Sequence, residues 1–174
     1  MNAGSPVFDF KKLKWLNQQY LMKFPAEETS ALIEKHFFNK EKIQKIIPLV
    51  SQRIESIDEF MDYGKFFFRS ELDYAGLPVL PKNIEKKQFK KALSSFAEGI
   101  DALDDWNVPT IDELLKSTMA TFELKPKHFF LPLRFIFTGR KDSPPLTETM
   151  EVIGRELCRF RVRDYLASDA FKNA

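Results

Sequence analysis

The chain has 174 residues, 44% hydrophobic and 30% charged, with a formal net charge of +2. That length supports one ordinary domain or two small ones, with the composition of a soluble globular protein. No apolar stretch approaches the ~20 residues of a membrane span, the N-terminus is no signal peptide, and six glycines without a Gly-rich phosphate loop argue against a nucleotide-binding domain. One cysteine, Cys158, excludes an internal disulfide and suits a reducing, cytoplasmic setting.

In chain order, residues 1–7 read as a linker or an expression scar. Phe8 to Phe24 reads as a helix capped by Asp9, with Leu13, Leu16, Tyr20 and Leu21 at near-helical spacing. Pro25 suits the start of a second helix, where Glu27 and Glu28 sit near the positive end of the dipole. His36 has no metal-ligand cluster around it and reads as a surface or boundary histidine. Lys40 to Ile54 reads as a third helix through Ile43, Ile46, Ile47, Val50 and Ile54. Pro48 inside it predicts a kink or break. Arg53 closes this helix, and an arginine there ordinarily meets the helix dipole and water. Ser56 is the predicted cap of the next helix.

Phe66, Phe67 and Phe68 form a buried anchor or a turn; periodicity does not choose between them. Leu72 to Lys82 holds Gly76, Pro78 and Pro81 and predicts an irregular boundary between two subdomains, 8–80 and 81–168, before a tail at 169–174. Asn83 caps a helix from Ile84 to about Leu103, with Phe89, Leu93, Phe96 and Ile100 on one face. Thr110 to Glu113 has capping-box spacing after Pro109, opening a helix that runs to Leu124. Phe129 to Thr138 is a strongly apolar helix that carries Arg134 and ends at Gly139, a residue suited to a left-handed helix end. Arg134 is then either an ion-paired arginine at a helix end or the edge of a site for an anionic or planar ligand. Pro144 and Pro145 stiffen the loop that follows. A short helix from Leu146 to Ile153 ends at Gly154, and Arg155 to Leu166 is the last, with Leu157, Phe160, Val162 and Leu166 as its apolar set. No segment alternates for long, so the fold class is all-α, two packed helical subdomains.

The charges are unevenly placed. Glu98 to Leu115 holds six acids (Glu98, Asp101, Asp104, Asp105, Asp112, Glu113) and no Lys or Arg. Six arginines, Arg134, Arg140, Arg155, Arg159, Arg161 and Arg163, fall between Lys125 and Asp164. A charge run is ordinarily a solvated helix face, but arginine's planar fork leans towards nucleic acid. No CxxC pair, zinc spacing or Ser–His–Asp motif is present, and Asp104 and Asp105, adjacent in sequence, point apart on a helix. The residues favour a binding module over a catalyst. A helical protein-interaction scaffold is the alternative to nucleic-acid binding, and a hydrolase has no motif behind it.

Three stretches carry a resemblance. Phe8-Asp9-Phe10-Lys11-Lys12-Leu13-Lys14-Trp15-Leu16-Asn17-Gln18-Gln19-Tyr20 resembles the FDxxKLxWxNxxY motif of bacterial glutamyl-tRNA synthetases. Arg53 to Phe60 is similar to that family's Arg-x-x-x-Leu-x-Glu-Phe segment. Pro132-Leu133-Arg134-Phe135-Ile136-Phe137-Thr138-Gly139 resembles its PLRxALTG motif, Ser143-Pro144-Pro145-Leu146 the loop after it, and Gly154-Arg155-Glu156 its Gly-Lys-Glu. The likeness covers about Phe8 to Ala167. Phe135 and Phe137 stand where family members usually have alanine.

The resemblance implies two α-helical subdomains that bind the anticodon loop of glutamate tRNA. It implies that Arg53 reads the third anticodon base, that Arg134 contacts the loop, and that Ser143, Pro144 and Leu146 lie in the loop against which bases splay. The family's HIGH-like and KMSKS-like motifs are absent, so the resemblance is to the C-terminal part of the enzyme. It implies no catalytic residue, metal site or cofactor in this fragment. ATP and Mg²⁺ belong to the catalytic domain of the parent ligase, which joins glutamate to tRNA. The expected molecule is a cytoplasmic monomer that binds neither DNA nor membrane.

Overall fold

The computed structural model describes residues 10–75, 80, 81 and 84–173, with the backbone alone for 10–14. The expected caps Asp9 and Asn83, and residues 1–7, lie outside the described residues. Among those described every regular element is helical, and no helix is long and apolar enough to cross a membrane. The chain divides into two compact units, Met1–Lys40 and Glu41–Ala174.

The first unit contains α1 (Phe10–Leu21) and α2 (Ala26–Phe37). Pro25 is the N-cap of α2, Glu27 and Glu28 fall in its first turn, and Lys35 and His36 in its last, so both ends suit the helix dipole. No residue of α2 is buried, and Trp15, Tyr20, Met22, Leu32 and Phe38 are exposed. So short a stretch has too little apolar surface to enclose a core of its own.

The second unit opens with α3 (Lys40–Val50), which ends in a 3₁₀ turn at Ser51–Arg53. Helical structure runs through Pro48 instead of breaking there, and gives way to the 3₁₀ turn at Ser51. α4 (Glu59–Gly64) has Asp58 rather than Ser56 at its N-cap, without a side-chain cap bond. The Glu59 carboxylate instead accepts from the Glu55 N–H at 2.9 Å. A second 3₁₀ turn at Lys65–Phe67 buries Phe66 and Phe67 completely, which resolves the triple phenylalanine as an anchor.

Five further helices build the main pile: α5 (Lys86–Ala102), α6 (Val108–Thr121), α7 (Pro126–Thr138), α8 (Leu146–Ile153) and α9 (Arg155–Ala167); α10 (Asp169–Lys172) packs on α9. α5 lies against α6 and α9, while α7 packs on α8 and α9. Phe89, Leu93, Phe96 and Ile100 are all fully buried, as their spacing predicts. They share one hydrophobic core with Phe66 and Phe67 from before the irregular stretch and with Phe129, Phe135 and Phe137 from α7. Gly99 lets Leu114 of α6 approach α5 closely enough that a Cβ at Gly99 would collide with its methyl group.

The cap of α6 differs from expectation. Asn107 is the N-cap and Thr110 its reciprocal partner at the third helical position; Pro109 sits inside the first turn, where its missing N–H costs nothing. α6 stops at Thr121. Glu123 then takes a left-handed φ of 52°, and Leu124 N–H closes the turn on the Met119 carbonyl.

The buried stripe of α9 is also displaced. It is Cys158, Arg161, Val162 and Tyr165, while Phe160 is exposed and Leu157 and Leu166 are only partly covered. A hydropathy rule counts arginine as polar and so rejects the helix face that is in fact inside.

Candidate nucleic-acid interface

α7 ends as its sequence demands. Gly139 adopts φ 68°, ψ 16°, and its N–H bonds the Phe135 carbonyl at 2.8 Å. Thr138 donates its hydroxyl to the Arg134 carbonyl at 2.7 Å and accepts from the Arg140 N–H at 3.2 Å, which fixes the exit of the loop. At the other end, the Thr149 hydroxyl donates to the Pro145 carbonyl at 2.7 Å.

The loop between these anchors meets the end of α3. Arg53 Nη1 donates to Asp142 Oδ1 at 2.9 Å across 89 residues of sequence. Arg140 lies with its guanidinium 4.2 Å from the ring centroid of buried Tyr63 and donates to the Tyr63 carbonyl at 3.3 Å. The Tyr63 hydroxyl reaches the Asp142 carbonyl at 3.5 Å. Burial pushes the Tyr63 phenol above its ordinary value, and the Asp142 charge adds to this, while Arg53 and Arg140 oppose it. Tyr63 is therefore neutral and a donor at ordinary pH.

A cleft of about 660 Å³ opens beside this group, with Arg53, Tyr63, Arg69, Gly139 and Arg140 among its walls. Its cations, Arg53, Lys65, Arg69 and Arg140, face the acids Glu59, Asp62, Glu71 and Asp73. Charge alone does not make it an anion trap; any selectivity must come from placed donors and planar surfaces. A guanidinium supplies both, because it donates in its plane and stacks on its face.

The structure separates the expected site residues into three situations. Arg53 is about one-third exposed and points into this cleft with a carboxylate partner. Arg134 sits one turn before Thr138 on α7, partly exposed, with its Nε buried and without a hydrogen-bond partner; it does not line the cleft. Ser143, Pro144 and Leu146 are buried, and the Ser143 hydroxyl turns to the Pro144 carbonyl at 3.3 Å. These three hold the loop from below, and Lys141, Asp142 and Pro145 are its exposed residues. Sequence reasoning missed Tyr63, Arg140 and Asp142 because their relation to Arg53 is made only by folding; no spacing announces it.

Most of the arginine enrichment is used internally. Arg159 and Arg163 of α9 bind Asp101 of α5 at 3.1 and 2.9 Å, and Arg155 donates to the Asp104 carbonyl at 3.0 Å. Arg161 is fully buried. The acidic and basic stretches of the sequence thus face each other, while Arg53, Arg69 and Arg140 line the cleft and Arg134 stays partly exposed on α7. Among the described residues no group of His, Cys, Asp and Glu could hold a metal ion.

The model of the anticodon binding domain family matches residues 16–166. The chain is 30% identical over 167 residues to a glutamate–tRNA ligase of Pseudomonas putida strain W619, covering 95% of this chain and 34% of that one. It is likewise 30% identical over 164 residues to the glutamate–tRNA ligase of Protochlamydia amoebophila, covering 93% and 33%. The crystal structure of a glutamate–tRNA ligase from Elizabethkingia meningosepticum, in complex with its amino acid, superposes with a TM-score of 0.57 at 26% identity, over 95% of this chain and 32% of that one. The glutamate–tRNA synthetase of Elizabethkingia anophelis gives 0.56 at 27% identity, over 92% and 32%. The chain thus spans about a third of the length of the curated relatives it matches. Helical among all its described elements and matched along most of its length, the chain belongs to the anticodon binding domain family.

Proposed function

We propose that this chain is the anticodon-reading region of a glutamate–tRNA ligase and that its partner is the anticodon loop of glutamate tRNA. The observation that carries this is the 30% identity to glutamate–tRNA ligases across 95% of the chain. The geometry supports it, since unstacked bases of an RNA loop are read on their edges and stacked on planar groups. Arg53, on the segment 8–80, reads the edge of the third anticodon base. Arg134, on the segment 81–168, contacts the loop, and Ser143, Pro144 and Leu146 set the shape of the surface against which bases splay. The parent enzyme joins glutamate to tRNA with ATP and Mg²⁺ in the cytoplasm, as a monomer; no residue of this chain is assigned to ATP, Mg²⁺, DNA or membrane.

The test is binding of short RNA hairpins carrying a glutamate anticodon, or the same hairpin with G in place of C at its third position, at one fixed salt concentration. The wild-type chain should prefer C. Arg53→Gln should remove most of that preference, because a good bidentate base contact discriminates by roughly 1–3 kcal/mol. Arg134→Ala should weaken both hairpins alike. Equal binding of the two hairpins by the wild-type chain would exclude the proposal.

A further inference from the structure

We propose that Asp142 is a positioning residue that sets the specificity of Arg53 by holding its guanidinium at the cleft. The inference rests on the base-reading role of Arg53 given above. Arg53 sits at the end of a 3₁₀ turn, with Tyr63 of α4 beside it in the cleft wall. A free arginine carries rotamer entropy that an incoming base would have to remove. Asp142 removes part of it in advance by taking the Nη1 end at 2.9 Å. One carboxylate oxygen on one nitrogen leaves donors of the planar fork for a base edge.

The carboxylate itself is well placed to do this. Ser143 and Pro144, next in the chain, are buried. On the other side Arg140 is stacked on Tyr63, whose hydroxyl meets the Asp142 carbonyl. The backbone at Asp142 is therefore held on both sides while its side chain stays 70% exposed. The pair joins Arg53 to the loop of Ser143, Pro144 and Leu146, the surface against which bases splay in the proposed function. The Asp142 carboxylate is the contact through which the held loop meets Arg53.

An exposed ion pair contributes little to folding, so its loss should be visible in specificity and not in stability. The experiment compares hairpins with C or G at the third anticodon position. Asp142→Asn should cut the preference for C by roughly two- to fivefold, the scale of one exposed pair, with an unchanged urea midpoint. Asp142→Glu, which keeps the carboxylate, should retain more of the preference than the asparagine. In an Arg53→Gln background, Asp142→Asn should change nothing further. The inference is overturned if Asp142→Asn leaves the preference intact while Arg53→Gln collapses it, or if Asp142→Asn tightens both hairpins equally, which would make the carboxylate only a repulsive charge. If Arg53→Gln itself leaves the preference intact, the base-reading role of Arg53 fails first and takes this inference with it.

Discussion

The guanidinium of Arg161, at the centre of α9, donates through Nη1 to the carbonyl of Phe137 in the last turn of α7. Its Nη2 donates to the carbonyls of Phe66 and Arg69, so one side chain closes the C-terminal end of α7 and the end of the 3₁₀ turn at Lys65–Phe67. Helix ends leave carbonyls without intrahelical partners, and a cation there also meets the negative end of the dipole. Burial lowers its pKa from 12.5 to about 10, so it remains charged at neutral pH. The stretches it ties together, around Phe66 and Phe137, adjoin the walls of the cleft.

Replacing Arg161 should therefore be severe. Arg161→Met keeps the stem but strands two buried carbonyls and a third that is partly buried, and the expected loss is about 3–5 kcal/mol, as for other broken buried charge networks. Arg161→Lys keeps the charge on a single nitrogen with a different reach and should recover only part of this. Urea unfolding of the three proteins measures it; a loss below about 1 kcal/mol for the methionine variant would contradict the linking role.

Stability should fall above pH 9. Cys158 is fully buried, and burial pushes its thiol far above the ordinary 9.0. Above pH 9 the unfolded chain releases this proton and the folded chain keeps it, so the folded state binds more protons and loses stability as pH rises. The loss is about 1.4 kcal/mol per pH unit from this group. Tyr165, raised by burial to about 12, and Tyr74 and Tyr63, also raised, add to it as pH passes through their ordinary 10.0. Arg161 acts in the opposite sense, and only from about pH 10 to 12.5, where the unfolded chain holds the extra proton. The difference between the wild-type chain and Cys158→Ala isolates the thiol from these groups. Urea midpoints from pH 9 to 10 should drop more steeply for the wild-type chain than for Cys158→Ala.

Tyr165 offers a stabilising change. Its ring packs edge-on against Tyr74 and Phe171, with centroids 5.3 and 5.4 Å away, while its hydroxyl is buried without a hydrogen-bond partner. Removing an unsatisfied buried hydroxyl recovers its desolvation cost, so Tyr165→Phe should stabilise the chain by about 1 kcal/mol. A thermal midpoint that falls instead would show that the hydroxyl is hydrogen-bonded in solution.

What the sequence determined by itself is local and periodic. The three-and-four spacing of Phe89, Leu93, Phe96 and Ile100 is enough to place one face of α5 inside, Pro25 is enough to open α2, and Gly139 is enough to end α7, because each depends on residues within a turn or two. The family motifs likewise point to Arg53 and Arg134 by position. What only the tertiary structure decided is who meets whom. Pairing Arg53 with Asp142, stacking Arg140 on Tyr63, burying Ser143, Pro144 and Leu146 beneath their loop, and taking Arg161 inside all depend on contacts between residues far apart in the chain. A charged side chain is stable in a core only when distant carbonyls converge on it, and no window of neighbouring residues contains that convergence.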